Sequence, residues 1–167
     1  DWILLQNEIA NVDCAIEYAH ARKLRVALNP SPFDDVVSRC NLNYVDMLLI
    51  NEVEGAELTG AAEPEQILSI LRTQYMNLSV LLTLGEHGAI FVDSQGIRYH
   101  VPSAPCVVKD TTAAGDTFTG YFLASYFKDY DVSRALAIAA AASSITVSRE
   151  GAASSIPYQG EVLTYMK

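Results

Sequence analysis

A doubly wound, mostly parallel α/β fold with helices on both faces of the sheet is predicted by three features of the sequence. Segments with strand and helix patterns alternate along the chain. The strand segments are continuous apolar runs, such as residues 45–50, and not alternations of apolar and polar residues. No internal repeat or low-complexity linker interrupts the 167 residues, so one domain is predicted over residues 1–167.

The first half of the chain follows this alternation from its start. Strands are predicted at residues 2–6, 24–28 and 45–50. Helices are predicted at residues 11–23, at 33–40, after Asn51 as an N-cap, and from Pro64 to about residue 74. The Asn29-Pro30-Ser31-Pro32 segment ends the second strand, because proline lacks the N–H that a central strand needs.

The second half contains the remaining strands and the longest helices. Strands are predicted at 78–84, 88–92 and 97–101, with a hairpin around Gly96 as the antiparallel exception. Helices are predicted at 115–128, 132–148 and 160–166. Gly151 is predicted to cap the end of the second of these helices.

Composition narrows the classes of partner. The formal net charge of −9 argues against nucleic acid and anionic membranes as partners. No apolar run reaches the ~18 residues that would span a membrane. Cys14, Cys40 and Cys106 are odd in number and widely spaced, which is typical of reduced, buried thiols in a cytoplasmic protein.

Several polar residues and a glycine follow directly after predicted strands. They are Glu8, Asn51, Glu54, Gly85 and Asp110. Ligands of open α/β sheets bind beyond the carboxyl ends of the strands. These positions are therefore candidates for a binding site.

Residues 110–118 read as a loop that leads into the first turn of a helix. The N–H groups of a first turn have no intrahelical acceptor, and Ala113, Ala114 and Gly115 leave room for an anion to reach them. Asp116 would project from the same turn. The alternative is an aspartate favoured in any first turn, after an ordinary tight entry to the helix.

Two further patterns can each be explained by ligand binding or by local structure alone. Asn51 and Glu54 share one face of a helix start, where their oxygens suit hydrated Mg²⁺, or they are a cap and a solvated glutamate. Thr83 is followed by Gly85 and Gly88, which permit close approach of a ligand or simply form a tight turn.

The segment Asp-Thr-Thr-Ala-Ala-Gly-Asp-Thr-Phe at 110–118 resembles the C-terminal signature of the ribokinase-like (PfkB-type) carbohydrate kinases. The resemblance extends to residues 51–60, 83–85 and 146–157, in the order of that family. The Ala113-Ala114 pair favours the ribokinase branch of the family.

This resemblance implies a role for each candidate. Asp116 is the general base that acts on the sugar, with Ala113, Ala114 and Gly115 in the anion hole. The expected contacts with ATP and Mg²⁺ are Asn51, Glu54 (to Mg²⁺ through water), Thr83, Gly85, Gly88, Ala140 and Ser143. Glu8 is the expected sugar contact, or a solvated glutamate before a helix.

The resemblance also implies a site for K⁺. Its expected ligands are the Asp110 carboxylate, the backbone oxygens of Thr112, Thr146, Arg149 and Gly151, and the Ser155 hydroxyl. The small residues around Ala140 and Ser143 are explained equally by close packing of a helix on its neighbours.

The implied activity is ATP-dependent phosphorylation of a sugar hydroxymethyl group in a cytoplasmic enzyme that is a homodimer at full length. By resemblance the chain is the C-terminal nucleotide-binding and catalytic portion, lacking the N-terminal half and its lid. The alternatives are a nucleotide-binding half-domain that is inactive alone, or a kinase of fructose, ketodeoxygluconate or a nucleoside.

Overall fold

The computed structural model describes residues 1–129 and 131–167, and the six strands found there form one sheet in the order β1-β2-β3-β4-β5-β6. The strands are β1 (Trp2–Gln6), β2 (Arg25–Asn29), β3 (Met47–Asn51), β4 (Ser79–Thr83), β5 (Ala89–Val92) and β6 (Arg98–Val101). The first four pair in parallel. The predicted mostly parallel α/β fold is confirmed.

The buried runs in the central strands show that both faces of the sheet are covered. Met47–Ile50 in β3 are all buried, as are residues 79–82 in β4. Because successive side chains of a strand point to opposite faces, such runs require packing on each side. The sequence has a continuous apolar pattern at these strands for the same reason.

Helices occupy most of the segments predicted for them. They are α1 (Val12–Ala21), α2 (Glu52–Thr59), α3 (Pro64–Gln74), α4 (Ala114–Asp129), α5 (Val132–Val147) and α6 (Gln159–Tyr165). The helix predicted at 33–40 is wrong, because only a 3₁₀ turn forms at Val37–Arg39. The Asp34 carboxylate accepts the N–H groups of Val36 and Val37, and this local turn takes the place of a longer helix.

The chain divides into two compact units. The first contains residues 1–84 and 90–98, and the second contains residues 85–89 and 99–167. In the first unit, fully buried side chains such as Leu28, Leu48, Ile67 and Leu82 belong to one apolar core.

Arg72 links several chain segments of the first unit near the end of α3. Its Nη1 donates to the carbonyl oxygens of Met76 at 3.1 Å, Asp93 at 3.2 Å and Ser94 at 3.1 Å. These carbonyls lie after α3 and after β5. The guanidinium therefore satisfies backbone groups that have left regular structure.

The second unit is built on α4, α5 and α6. Its apolar cluster is formed by Ile138, Ala141, Ala142, Ile145 and Val162, with Tyr121 packed against it. The alanines of α5 are almost all buried, so its small side chains serve helix packing.

Two predictions about local features are corrected by the structure. Gly151 does not cap α5, which ends at Val147 with Ser148 as C-cap, and Gly151 lies in the following loop at φ +96°. Cys14 and Cys106 are exposed, and only Cys40 is buried, although all three are free thiols as predicted. Within the described residues, no helix is both long and apolar enough to cross a membrane.

Candidate functional site

The loop before α4 presents backbone N–H groups at its junction with the helix. The Thr117 N–H donates to the Ala113 carbonyl at 2.9 Å, which is the first regular bond of the helix, and the Ala114 N–H reaches Thr111 at 3.2 Å. Gly115 and Asp116 lie between these points, where helix geometry gives their N–H groups no intrahelical acceptor. This pair of amides is suited to an anion.

Gly115 is open to the outside of the protein. Among the described residues, none has an atom within 4 Å of the position where a Cβ would be. Its backbone is also outside the left-handed region, so no internal contact or backbone conformation requires a glycine here. The missing side chain instead permits close approach of a ligand to the backbone at this turn.

The Asp116 side chain lies in the first turn of α4, and the residue is exposed. It therefore avoids the packed core, where a carboxylate could not act on a substrate. A position in the first turn is also favourable to any acidic residue, so both interpretations of Asp116 remain compatible with its place.

Ala113 adopts a left-handed conformation, with φ of 61°. A residue with a Cβ is strained there, and such strain often marks a functional loop. The strained residue turns the chain immediately before the two free amides.

We expect Ala113→Gly to raise the free energy of unfolding by about 0.5–1 kcal/mol, because glycine adopts this conformation without strain. Ala124→Gly, at an exposed position inside α4, is the control and should lower it by about 1 kcal/mol. Urea unfolding of both variants measures the difference. Equal destabilisation of the two variants would contradict the strain at Ala113.

Asp110 connects the anion loop to the loop after α5. Its Oδ2 accepts the Gly151 N–H at 3.0 Å, and its Oδ1 accepts the Thr112 N–H at 2.9 Å. Hydrogen bonds from the Thr112 side chain and N–H, and then from Gly151, hold the pKa of Asp110 below its ordinary value. The structure thus brings together three of the six residues predicted to bind K⁺.

The other predicted K⁺ ligands are partly engaged within the protein. The Ser155 hydroxyl is buried and donates to the Ala152 carbonyl at 2.6 Å. The Thr146 carbonyl accepts the Arg149 N–H at 3.0 Å. The six residues offer a carboxylate, backbone carbonyls and a hydroxyl, and their part in binding K⁺ stays a prediction.

Asn51 and Glu54 form a reciprocal capping box at the start of α2. The Glu54 N–H donates to Asn51 Oδ1, and the Asn51 N–H donates to Glu54 Oε2, both at 2.9 Å. Glu54 is only 7% exposed, so the alternative of a solvated glutamate is wrong, whereas the predicted cap at Asn51 is confirmed. Thr83 pairs with Asn51 across β3 and β4, so these three residues lie together at the carboxyl end of the strands.

Gly85 and Gly88 have different structural reasons for lacking a side chain. A Cβ on Gly88 would lie 2.0 Å from the Val101 carbonyl oxygen, so the backbone itself excludes one. Gly85, at φ +53°, has no described atom within 4 Å of that position. Of the two, Gly85 alone offers open space to a ligand.

The remaining predicted contacts differ in accessibility. Glu8 is exposed, directly after β1, as either interpretation of it requires. Ala140 is buried within the second unit. The Ser143 hydroxyl donates to the Ala114 carbonyl at 3.2 Å and is therefore engaged with α4.

Comparison with known proteins adds the family. The model of the pfkB family carbohydrate kinases matches residues 4–159. The chain belongs to the pfkB family of carbohydrate kinases. The matched range includes the Asp110–Phe118 segment, in which the sequence resembles the family signature.

Curated relatives in the pfkB family include several ribokinases. The ribokinase of Haemophilus influenzae is 32% identical over 174 residues, which cover 100% of this chain and 56% of that protein. The ribokinase of Schizosaccharomyces pombe is 36% identical over 96% of this chain and 53% of its own length. The chain thus spans about half the length of these relatives.

Solved pfkB-type structures superpose on nearly the whole chain. A ribokinase of Cryptococcus neoformans in complex with ADP has a TM-score of 0.84 and 26% identity, and covers 98% of this chain and 60% of its own. An Arabidopsis thaliana ribokinase complexed with ribose and ATP has a TM-score of 0.83 and 29% identity, over 99% of this chain and 55% of its own.

Reasoning from the sequence gave no role to Thr117, which adjoins the candidate site. Its buried hydroxyl accepts a hydrogen bond from the Thr146 hydroxyl at 3.2 Å, next to Asp116. The available signal was the presence of Ser143 and Thr146, three residues apart, on an otherwise alanine-rich helix.

Proposed function

We propose that the complete polypeptide carrying this chain transfers the γ-phosphoryl group of ATP to a hydroxymethyl group of a sugar. The observation that carries the proposal is the arrangement at the start of α4. There an exposed Asp116 adjoins two amides without intrahelical acceptors, and Gly115 permits close approach of a ligand to the backbone. Membership of a carbohydrate kinase family supports the choice of substrate class.

In this reaction Asp116 is the general base. It takes the proton of the sugar hydroxyl as the oxygen attacks the γ-phosphorus, and the bond from that phosphorus to the β-phosphate oxygen breaks, releasing ADP. Amides of the Ala113–Asp116 loop stabilise the charge on the transferred group, with Gly115 and Asp116 the two left available by the helix. Removal of the proton by a positioned base contributes about 10²–10⁴-fold.

Asn51 and Glu54 are proposed to bind Mg²⁺ through water. The chemistry of the two residues suits the ion, because both offer side-chain oxygens, which Mg²⁺ prefers, and the capping box fixes the Glu54 side chain at the start of α2. When bound, the ion neutralises charge on the phosphates. Thr83 and Gly85 are each proposed contacts of the nucleotide, and Glu8 is the proposed sugar contact. Gly88 and Ala140 are further proposed contacts of the nucleotide, and the Ser143 hydroxyl is engaged with the Ala114 carbonyl.

Asp110 and the carbonyls of Thr112, Thr146, Arg149 and Gly151, with the Ser155 hydroxyl, are proposed to hold K⁺. Bound there, the cation would rigidify the loop that Asp110 ties to Gly151. We therefore expect kcat to fall severalfold when K⁺ is replaced by Li⁺ at equal ionic strength. Equal steady-state rates in the two salts would contradict this part of the proposal.

The test of the proposed function is a kinase assay that follows ADP release from the complete polypeptide. D-Ribose is the first sugar to assay, since the curated relatives include ribokinases, and a deoxyribokinase of Salmonella typhi at 29% identity adds deoxyribose. Fructose, ketodeoxygluconate and a nucleoside complete the panel. If none of these compounds raises the rate of ADP release above the rate with ATP alone, the proposal is overturned.

A nucleotide-binding half-domain without turnover is the second candidate, favoured by the length of chain relative to its relatives. Calorimetric titration of residues 1–167 with ADP, together with the kinase assay, distinguishes the two candidate functions. Binding without turnover by this chain, and turnover by the complete polypeptide, is the expected result.

A further inference from the structure

Two side chains of α5 hold the first turn of α4 at points on either side of Asp116. The Ser143 hydroxyl donates to the Ala114 carbonyl, and the Thr146 hydroxyl donates to the Thr117 hydroxyl, both at 3.2 Å. Donors and acceptors are each spaced three residues apart, so they lie on facing sides of the two helices. The residues enclosed between the two contacts are Gly115 and Asp116.

The Thr117–Thr146 contact is sealed from solvent. Thr146 is 0% exposed and Thr117 is 2% exposed. A buried hydroxyl that loses its partner is unfavourable, so this bond resists sliding or rotation of one helix along the other. Two such fixed points one turn apart define both the rotation and the axial position of the first turn of α4.

We propose that Ser143, Thr146 and Thr117 are positioning residues, which aim the Asp116 carboxylate and the Gly115 N–H at a bound phosphoryl acceptor and donor. The proposal rests on the proposed function. It gives the Ser143 side chain a role through Ala114 and not through contact with adenine. The proposed role belongs to the hydroxyls and not to side-chain volume, because valine has nearly the same shape as threonine but cannot make the hydrogen bond.

Three valine substitutions separate positioning from packing, measured in the complete polypeptide. Thr117→Val and Thr146→Val each leave one buried hydroxyl without its hydrogen-bond partner. We therefore expect each substitution to lower the Tm by about 5 °C. The double variant leaves no hydroxyl of this pair without a partner, so its Tm should recover most of that loss. Its kcat should nevertheless stay about tenfold below the parent, with KM for ATP unchanged, since the turn has lost a fixed point.

Matched variants complete the series. Thr117→Ser keeps the hydroxyl and should restore kcat, whereas Ser143→Ala should lower kcat by releasing Ala114. Thr119→Val, two residues from Thr117 on the same helix and partly exposed, is the control and should leave kcat at the parent value. A double valine variant that regains both Tm and kcat would overturn the proposal, as would a Thr119→Val loss equal to that of Thr117→Val.

Asp116→Asn, assayed in parallel, keeps this inference distinct from the proposed function. If Asp116→Asn is inactive and the threonine variants turn over like the parent, only the positioning role fails. If Asp116→Asn remains active, the proposed base fails, and with it the reason for positioning it.

Discussion

Asp116→Asn is expected to lower kcat by about 10²–10⁴-fold, which nearly abolishes turnover. An amide of the same size cannot accept the proton of the sugar hydroxyl. Because the variant keeps the loop and its amides, the Kd for ADP should change little. Steady-state kinetics and calorimetric titration of the complete polypeptide measure the two effects separately.

Asp13→Asn is the matched control for that variant. Asp13 also lies in the first turn of a helix, α1, and is exposed, so both variants remove one favourable charge near a helix N-terminus. Only Asp116→Asn should lose activity. The assignment of the base is wrong if Asp116→Asn keeps more than about a tenth of the parent kcat.

Gly115→Ala should fold as well as the parent and yet lose about a hundredfold or more in kcat/KM. The added methyl group meets no described atom within 4 Å, and alanine favours helix, so stability should be unchanged or higher. The same methyl group would hinder close approach of the transferred group to the amides that are proposed to stabilise its charge. Kinetics with ATP and thermal unfolding test the two halves of this expectation.

Gly120→Ala provides the comparison on the same helix. Gly120 is exposed, and a Cβ there also meets no described atom within 4 Å. This variant should gain similar stability and keep its kcat/KM. If Gly115→Ala were as active as Gly120→Ala, the space at Gly115 would have no part in binding a phosphoryl group.

The elements with strong local signals were predictable from the sequence. α3 begins at Pro64, as predicted, because proline is favoured at the first helical position. β3 and β4 lie within a residue or two of their apolar runs, since strands buried on both faces have no polar alternation. The resemblance at 110–118 located the loop before α4 for a different reason, namely a matching order of residue types.

Features that depend on contacts distant in sequence were not predictable. The burial of Glu54 follows from packing around α2, which its own neighbours in sequence do not reveal. The left-handed conformation of Ala113 carries no signal, because alanine is not a residue expected there. The bond from Thr146 to Thr117 joins side chains 29 positions apart.

The two glycines of the 85–88 turn place opposite limits on protein engineering. Since a Cβ at Gly88 would overlap the Val101 carbonyl oxygen, we expect any substitution there to lower the stability of the fold. Gly85 has open space and only its φ of +53° to satisfy, which asparagine and aspartate tolerate best. On the proposed role of Gly85 as a nucleotide contact, a search for altered nucleotide preference would therefore diversify Gly85 and hold Gly88 constant.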